Sequence, residues 1–330
     1  MILPYFWRLF VLCAATFFVV HTVSAIILRL LVPAATRFSN RLRARTAAQF
    51  LLALRLSPAA GSIFSVLALC IPSYLSFEPG ATTEEVGWAS IVAALLALTL
   101  LTMSIARATR AVFSTSMYER FCVKSGAQLR SPAVSASVTV IDEASPVIAM
   151  VGVFRPRFVI SRSVIDTLSP DELDSALRHE RAHRVSRDNF KRLLLLLAPD
   201  ALPFFSRSFA AIDRSWVTFS EWAADDAAVT GDPERSLSLA GALVRVARMA
   251  APPRLSPICT ELVSGASACL NQDLSARVDR LLHVSDPEIV KPLRSVVWTA
   301  SLVICVATLV VALRPDTLHS VHKLLEVLTH

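Results

Sequence analysis

The chain has 330 residues, of which 54% are hydrophobic and only 18% are charged. Soluble domains carry about a quarter charged residues, so this composition argues against an ordinary soluble protein and favours an integral membrane protein. The formal net charge of +7 would suit nucleic-acid binding, but arginines beside membrane spans more often anchor a protein against anionic lipid. We therefore expect the lipid bilayer as a partner and no direct nucleic-acid contact.

Four apolar stretches are long enough to cross a hydrocarbon core of about 30 Å. The first could instead be a signal peptide, because residues 23–25 resemble a small-residue cleavage site. We favour an uncleaved span, since the apolar run continues past Ala25 and only Arg8 supplies a basic charge before it. Pro72 predicts a kink in the second span. The predicted spans are Trp7–Leu31, Ala59–Phe77, Gly87–Ala106 and Ser295–Leu313.

The charged residues between these spans predict their orientation. Arginines fill the connector between spans one and two, and basic residues follow span three, whereas residues 78–86 carry three glutamates and no Lys or Arg. The positive-inside rule then places the first connector and the segment after span three in the cytoplasm, with both termini outside. We predict a multi-pass protein of the inner (cytoplasmic) membrane. The basic residues are Arg37, Arg41, Arg43, Arg45, Arg55, Arg107, Arg110, Arg120 and Lys124.

The segment between spans three and four is long enough for one compact domain. Val- and Ile-rich runs predict strands at Ala136–Ile141 and Phe158–Ser161, with a further extended piece at Val147–Val153. Ser169 followed by Pro170 predicts the start of a helix. The run Leu193–Leu197 is too short to span a membrane, and we predict a buried core helix whose surface lies near the bilayer.

The predicted fold is therefore mainly α and integral to the membrane. Residues 1–108 hold three transmembrane helices and the basic connector, and residues 109–292 form a cytoplasmic α+β domain. Residues 293–330 hold the fourth transmembrane helix and a short outer tail, in which residues 317–328 could form an amphipathic helix or be frayed.

The most informative motif of the domain is H-E-x-x-H at residues 179–183. Two histidines four positions apart lie on one face of a helix, so His179 and His183 can bind one zinc ion. Glu180 can then act as a general base toward water at that ion. The alternative interpretation is a charged helix face with two solvated histidines. Histidine is scarce in the chain, with 7 residues in 330, and this scarcity favours zinc.

A catalytic zinc ion usually has three protein ligands, so the motif requires a third. Glu221 is the best candidate, because it lies with Asp225 in an alanine-rich segment that reads as helix. The four-residue spacing places both carboxylates on one face. Asp225 can accept a hydrogen bond from the second ring nitrogen of a ligand histidine. Without the upstream motif, a solvated acidic turn would be the better interpretation.

The combination of H-E-x-x-H, Arg187-Asp188 and E-x-x-A-D resembles gluzincin metalloproteases with membrane anchors. These include the CAAX-prenyl/HtpX-type proteases and the BlaR/MecR-type β-lactam transducers. The layout of three spans, a cytoplasmic zinc domain and a fourth span is similar to the BlaR/MecR type. The BlaR/MecR transducers carry a large penicillin-binding domain after span four, whereas only residues 314–330 follow it here, and we expect no such sensor domain.

Of the functional groups that the predicted site needs, the one that would stabilise the oxyanion is the least well defined by the sequence. All three tyrosines precede the domain core. The resemblance to CAAX/HtpX-type proteases implies a histidine and an arginine after the third ligand, and Arg277 is similar to that arginine. Asn271 lies near where the histidine is expected, and His283 is a more distant candidate. The alternative for Arg277 is a surface ion pair with Asp273 or Asp279.

The sequence thus predicts a zinc endopeptidase with its active site in the cytoplasm. The resemblance implies regulated proteolysis of a protein or peptide substrate, such as a transcriptional repressor. One rival is an HtpX-like quality-control protease that degrades misfolded membrane proteins. The other is a non-enzymatic transducer that uses the zinc domain as a binding module, although such a module would not need Glu180.

Overall fold

The computed structural model describes residues 4–77, 86–131, 136–143, 146–200, 206–249, 259–261, 270–283, 314, 316–321 and 323. Three helical stretches among these residues are long and apolar enough to cross a membrane: α1 (Tyr5–Ser39), the stretch Ala44–Phe77, and α4 (Trp88–Ser125). They contain the first three predicted spans. The predicted fourth span, 295–313, lies outside the described residues.

The second stretch is one helical rod with an irregular turn near its middle. It consists of α2 (Ala44–Ser65), a π-helical turn (Val66–Cys70) and α3 (Ile71–Phe77). Pro72 has no N–H to donate, so an ordinary helix would leave a carbonyl without a partner one turn earlier. The wider turn, in which the Ile71 N–H donates to the Val66 carbonyl, is one way to accommodate it. This π-helical turn ends two residues before Pro72, and the kink that Pro72 predicts stays a prediction.

The placement of Arg55 in the first connector is wrong. The chain passes from α1 to α2 between Ser39 and Ala44, and Arg55 lies inside α2 with 2% of its surface exposed. The helix begins well before the predicted span because the arginines at its start are good helix formers and do not interrupt it. Arg55 is a buried partner for acidic groups rather than a connector charge.

A five-stranded sheet with the order β1-β2-β4-β3-β5 follows α4. The middle pair β2–β4 is parallel and the other pairs are antiparallel. The three predicted extended segments are confirmed as β2, β3 and β4. Two strands were not predicted: β1, which is polar, and β5, which has two residues. The strands are β1 (Ala127–Ser131), β2 (Ala136–Ile141), β3 (Ile148–Val151), β4 (Arg157–Ser161) and β5 (Thr260–Glu261).

Six helices pack around this sheet and the membrane helices. The one that carries H-E-x-x-H, α6, begins with the predicted cap. The Ser169 side chain accepts from the Glu172 N–H while the Glu172 carboxylate accepts from the Ser169 N–H. The helices are α5 (Arg162–Thr167), α6 (Pro170–Ser186), α7 (Asp188–Leu197), α8 (Ser206–Val229), α9 (Pro233–Arg248) and α10 (Leu270–Leu282).

The domain core lies between the sheet and helices α6, α9 and α10. Buried Phe158 and Ile160 of β4 pack in one apolar cluster with Leu177 of α6, Leu243 of α9 and Leu281 of α10. This packing holds α6 firmly against the sheet. The side of α6 that carries His179 and His183 faces α8 and α7 instead.

The membrane helices and the domain share a second apolar cluster. In α8, Phe209, Ile212 and Trp216 are buried against Ala47 and Leu51 of α2. The predicted leucine helix is α7, and its Leu193 packs on Ala108 and Ala111 of α4. The same helix, α8, therefore packs against the membrane helices and carries the metal-binding segment.

Residues 316–321 of the tail are helical and lie at the far end of the bundle. The Ser73 hydroxyl donates to the Leu318 carbonyl at 2.8 Å, and the Tyr74 hydroxyl donates to the Tyr5 carbonyl at 3.1 Å. The start of α1, the end of α3 and this tail segment therefore meet at one end. The rest of the predicted tail helix, 324–328, lies outside the described residues.

Candidate metal centre

Helices α6 and α8 bring the three predicted ligand residues together in the protein interior. The Nε2 atoms of His179 and His183 face each other at 3.1 Å. The Glu221 carboxylate oxygen Oε2 lies 3.4 Å from the first and 3.6 Å from the second. One donor atom from each of the three residues lies within 4.8 Å of the other two. All three side chains are buried.

The outer ring nitrogen of each histidine contacts a carboxylate. His179 Nδ1 lies 2.9 Å from Asp225 Oδ1, which is the contact that the spacing of Glu221 and Asp225 predicts. His183 Nδ1 lies 2.7 Å from Asp188 Oδ2. An N–H on His183 Nδ1 donates to Asp188, and the carboxylate of Asp225 beside His179 Nδ1 favours the same tautomer, so each Nε2 lone pair is directed into the site.

Asp188 is a site residue to which the sequence analysis assigned no role. Arg187 adopts a left-handed conformation (φ 57°, ψ 41°) that ends α6 and starts α7. That turn brings Asp188 back toward His183. The Ser186 hydroxyl and the Lys191 ammonium both donate to Asp188 Oδ1 at 2.7 Å, and this fixes the carboxylate. The signal in the sequence was the first acidic residue after H-E-x-x-H, five positions beyond His183, but the direction of its side chain depends on the turn.

Asn189 is a second missed residue, and it ties this turn to the sheet. Its side-chain amide donates to the Met150 carbonyl at 3.0 Å and to the Gly152 carbonyl at 2.7 Å. Gly152 has a φ of 104°, which an L side chain rarely adopts. The end of β3 therefore sets the position of the α6–α7 turn, and through it the position of His183.

Glu180 lies beside the ligands with none of its surface exposed. Burial raises the pKa of this carboxyl to about 7, against the opposing charges of His183, His179 and Arg277. A carboxyl whose pKa lies near neutrality can both accept and release a proton at physiological pH. That is the property a general base and acid needs.

Arg277 of α10 also lies in the site, where it contacts carboxylates. Its Nε and Nη2 donate to the two oxygens of Asp225 at 2.8 and 2.7 Å, and its Nη1 lies 3.3 Å from Glu221 Oε2. The alternative of a surface ion pair is wrong, since only 7% of Arg277 is exposed. This clamp holds the carboxylates of α8 in place, and an additional contact with substrate stays a prediction.

Two other candidates come from this region, and the side chain of Asn271 lies outside the described part of the structure. Asn271 is in the first turn of α10. His283 is exposed after the end of α10, and its ring nitrogen hydrogen-bonds the Asp279 carbonyl of its own helix at 2.8 Å.

The donor set fits a divalent metal ion such as zinc. Burial lowers the pKa of both histidines, but the surrounding carboxylates outweigh it and raise that of His183 to about 10. Burial likewise raises the pKa of Glu221, and the adjacent histidines and Arg277 bring it well below its usual value. The cluster thus attracts positive charge, and a metal ion would displace protons from the imidazoles. Two imidazoles and one carboxylate are typical ligands of catalytic zinc.

A cavity of about 650 Å³ reaches His183 from the surface. Phe154 and Phe190 line it with ring centroids 6.3 Å apart, and Arg155 and Arg184 also line it. Phe154 is 77% exposed. The cavity therefore borders one of the three ligand residues and has apolar surface for a substrate side chain.

No curated protein matches the chain. The sequence model of one family, described as BlaR1 peptidase M56, matches residues 6–271. That match includes the three membrane helices, the H-E-x-x-H helix, Glu221 and Asp225, so it spans the features that carry the geometry. The chain therefore belongs to the M56 family of BlaR1-type membrane metallopeptidases.

Proposed function

We propose that the protein is a zinc endopeptidase that cleaves a protein substrate at the cytoplasmic face of the inner membrane. The observation that carries this proposal is the convergence of two imidazole Nε2 atoms and one carboxylate oxygen beside a fully buried Glu180. A site that only held a metal for structural purposes would have no use for a buried carboxyl beside the ligands that is not itself a ligand.

His179, His183 and Glu221 would hold the metal. A zinc ion bound there supplies a Lewis acid that polarises the scissile carbonyl and favours deprotonation of water. Glu180 accepts the proton from the attacking water and later delivers it to the leaving amine. Asp225 and Asp188 keep the two imidazoles in the tautomer that binds metal, and Arg277 holds Asp225 and Glu221 in position.

Two observations, and an inference from them, support the proposed topology of four spans with a cytoplasmic domain between residues 109 and 292. The basic connector lies at the end of α2 that is next to the domain. The tail segment 316–321 contacts α3 at the opposite end of the bundle. A chain that leaves α10 on the domain side must cross the membrane again to reach that position.

The substrate we propose is a cytoplasmic protein, such as a transcriptional repressor, whose cleavage changes gene expression. The family match to a BlaR1-type peptidase supports this over general quality control. The cavity beside His183 would accept a large apolar side chain between Phe154 and Phe190.

The test is the variant Glu180→Gln, which retains shape and removes the proton acceptor. We expect proteolysis to fall by about 100- to 10,000-fold while the zinc content stays at the wild-type level. The measurement is N-terminal peptide mapping of the proteome in strains with the wild-type and variant proteins, together with metal analysis of both purified proteins. Glu234→Gln, an exposed glutamate in the first turn of α9, is the matched control. Identical sets of new N-termini in the wild-type and Glu180→Gln strains would rule the mechanism out.

A further inference from the structure

A second cavity, of about 520 Å³, lies on the other side of the H-E-x-x-H helix from the sheet. Four elements surround it: the start of α2, the exposed flank of α6, the first turns of α7, and the C-terminal part of α8. Its walls include Arg43 and Arg45 from α2 and its cap, Arg178 and Arg181 from α6, and Lys191 from α7.

The charges around this cavity are mostly positive. Five cationic side chains line it, against two acidic ones, Asp188 and Asp226. Both acids have partners: Asp188 contacts His183 and Lys191, and Asp226 lies 2.6 Å from Arg280. Among the cations, Arg178 contacts Asp174 at 2.6 Å. The acids are thus engaged by other groups, and the cavity retains an excess of positive charge.

Arg45 and Arg181 are two cations of this cavity for which the described residues show no contact with an acidic side chain. Both are exposed, and among the residues that the structure describes neither has an acidic group within ion-pair distance. They come from sequence positions 136 apart and line the same space. Two like charges that share a cavity repel each other, and an anion between them removes that repulsion.

The start of α2 adds to this preference for an anion. No side chain caps this end of the helix, and no acidic residue lies in its first turn. The first backbone N–H groups of a helix and its dipole attract negative charge. The helix end and the arginine side chains therefore favour the same ligand chemistry.

We propose that this cavity binds the phosphate headgroup of an anionic membrane lipid. The location favours a lipid over an acidic protein, because α2 is the beginning of a candidate membrane span and Arg45 lies in its first turn. Anionic lipid headgroups occupy basic pockets at the cytoplasmic ends of membrane helices in the same way. The acyl chains would extend along the apolar surface of α1 and α2, where Phe38 is half exposed.

The bound headgroup would lie directly behind the metal centre. Arg181 is in the H-E-x-x-H segment, and Lys191 contacts both the cavity and the Asp188 carboxylate that holds His183. A lipid phosphate here would join α2, α6 and α7 across the membrane junction. The inference extends beyond the proposed protease activity and does not depend on it.

The experiment measures lipid binding to the full-length, zinc-loaded protein in a neutral detergent. Short-chain phosphatidylglycerol is titrated by calorimetry into the wild type, Arg45→Gln/Arg181→Gln and Arg37→Gln/Arg41→Gln. The last pair is the matched control, since these exposed arginines belong to the same basic segment but do not line the cavity. Zinc content, measured for each variant, reports that the domain is folded.

We expect the Kd for phosphatidylglycerol to rise about tenfold or more in Arg45→Gln/Arg181→Gln, because both cations that attract the phosphate are removed. The control pair should change it by less than about twofold. Short-chain phosphatidylcholine should not bind in the same range, and inorganic phosphate should bind far more weakly than the lipid. Equal losses in both pairs would overturn the proposal, as would phosphate or hexaglutamate binding as tightly as phosphatidylglycerol.

Discussion

The metal centre and the membrane junction both bury charged side chains, but they balance those charges differently. At the junction, Arg55 of α2 lies 2.6 Å from Asp200 and 3.1 Å from Asp213, and Arg107 of α4 also contacts Asp200. Two cations thus meet two acids, and the guanidinium of Arg55 additionally covers the ring of Phe209 at 4.3 Å. The positive and negative charges of this group therefore balance.

At the metal centre the balance leaves room for another cation. Four carboxylates, from Glu180, Asp188, Glu221 and Asp225, surround two imidazoles, and the permanent cations in contact with them are Lys191, Arg192 and Arg277. With both imidazoles neutral and all four carboxylates ionised, four negative charges against three positive ones leave one in excess, and this favours binding of a metal cation. The charges of the metal centre therefore favour binding of an ion, whereas those of the membrane junction join the membrane helices to the domain.

Arg192 lies between the two regions. Its Nη2 is 3.5 Å from Glu221 Oε1, and its guanidinium lies 5.9 Å from the ring centroid of Trp216, which packs against the membrane helices. The sequence analysis missed this residue, because a single arginine within a leucine-rich helix carries no motif. It places a permanent positive charge behind the third ligand.

The largest expected effect is at the metal centre. Glu221→Ala removes one of three ligands, and we expect zinc affinity to fall by more than about 100-fold. Loss of a residue that only hydrogen-bonds a ligand typically costs about 10- to 100-fold, so the direct loss of a ligand should exceed that range. Zinc content after dialysis against a weak chelator measures it. Glu234→Ala, at an exposed position on α9, should retain zinc. Full zinc content in Glu221→Ala would place the third ligand elsewhere.

The junction should respond in stability rather than in metal binding. Arg55→Met leaves Asp200 and Asp213 without their main partner, and breaking a buried pair costs about 3–5 kcal/mol. Since the two aspartates are 33% and 35% exposed, we expect about 2–3 kcal/mol. Denaturant unfolding in detergent gives this value, with Arg110→Met on the exposed side of α4 as control. A loss of zinc from folded Arg55→Met protein would show that the two regions are not separate.

The smallest of these effects concerns the support behind a ligand. Asp188→Asn weakens the hydrogen bond that orients His183, so zinc affinity should fall by about 10- to 100-fold. Competition with a fluorescent chelator measures the affinity. The matched control is Asp226→Asn, an acid on α8 that contacts Arg280 and is 52% exposed. Equal affinities in the two variants would contradict the assigned role of Asp188.

Local spacing explains why much of the centre is predictable. Residues four apart on a helix share a face, so the pairs His179–His183 and Glu221–Asp225 could each be placed from sequence. The cap at Ser169 and the irregular turn beside Pro72 are likewise local. The role of Asp188 could not be predicted from sequence, because the direction of its side chain depends on the left-handed conformation of Arg187.

The partners of Arg277 and Arg55 required the tertiary structure. Arg277 contacts Asp225, which is 52 positions away, and Arg55 contacts Asp213, which is 158 positions away. Nothing in the neighbourhood of either arginine indicates these pairings, and nearby acids suggested other partners for Arg277. Long-range ion pairs follow from how helices pack, which is a property of the whole core.

The sequence alone determined the ligand types, their helical spacing and the membrane character of the chain, because these depend on local periodicity and composition. Only the tertiary structure decided that α6 and α8 bring the ligands together, that α7 contributes Asp188, and that Arg55 joins membrane to domain. Each of those outcomes needs two elements packed against each other at a set distance. That distance is fixed by the shapes of the side chains between them, and no short stretch of sequence contains it.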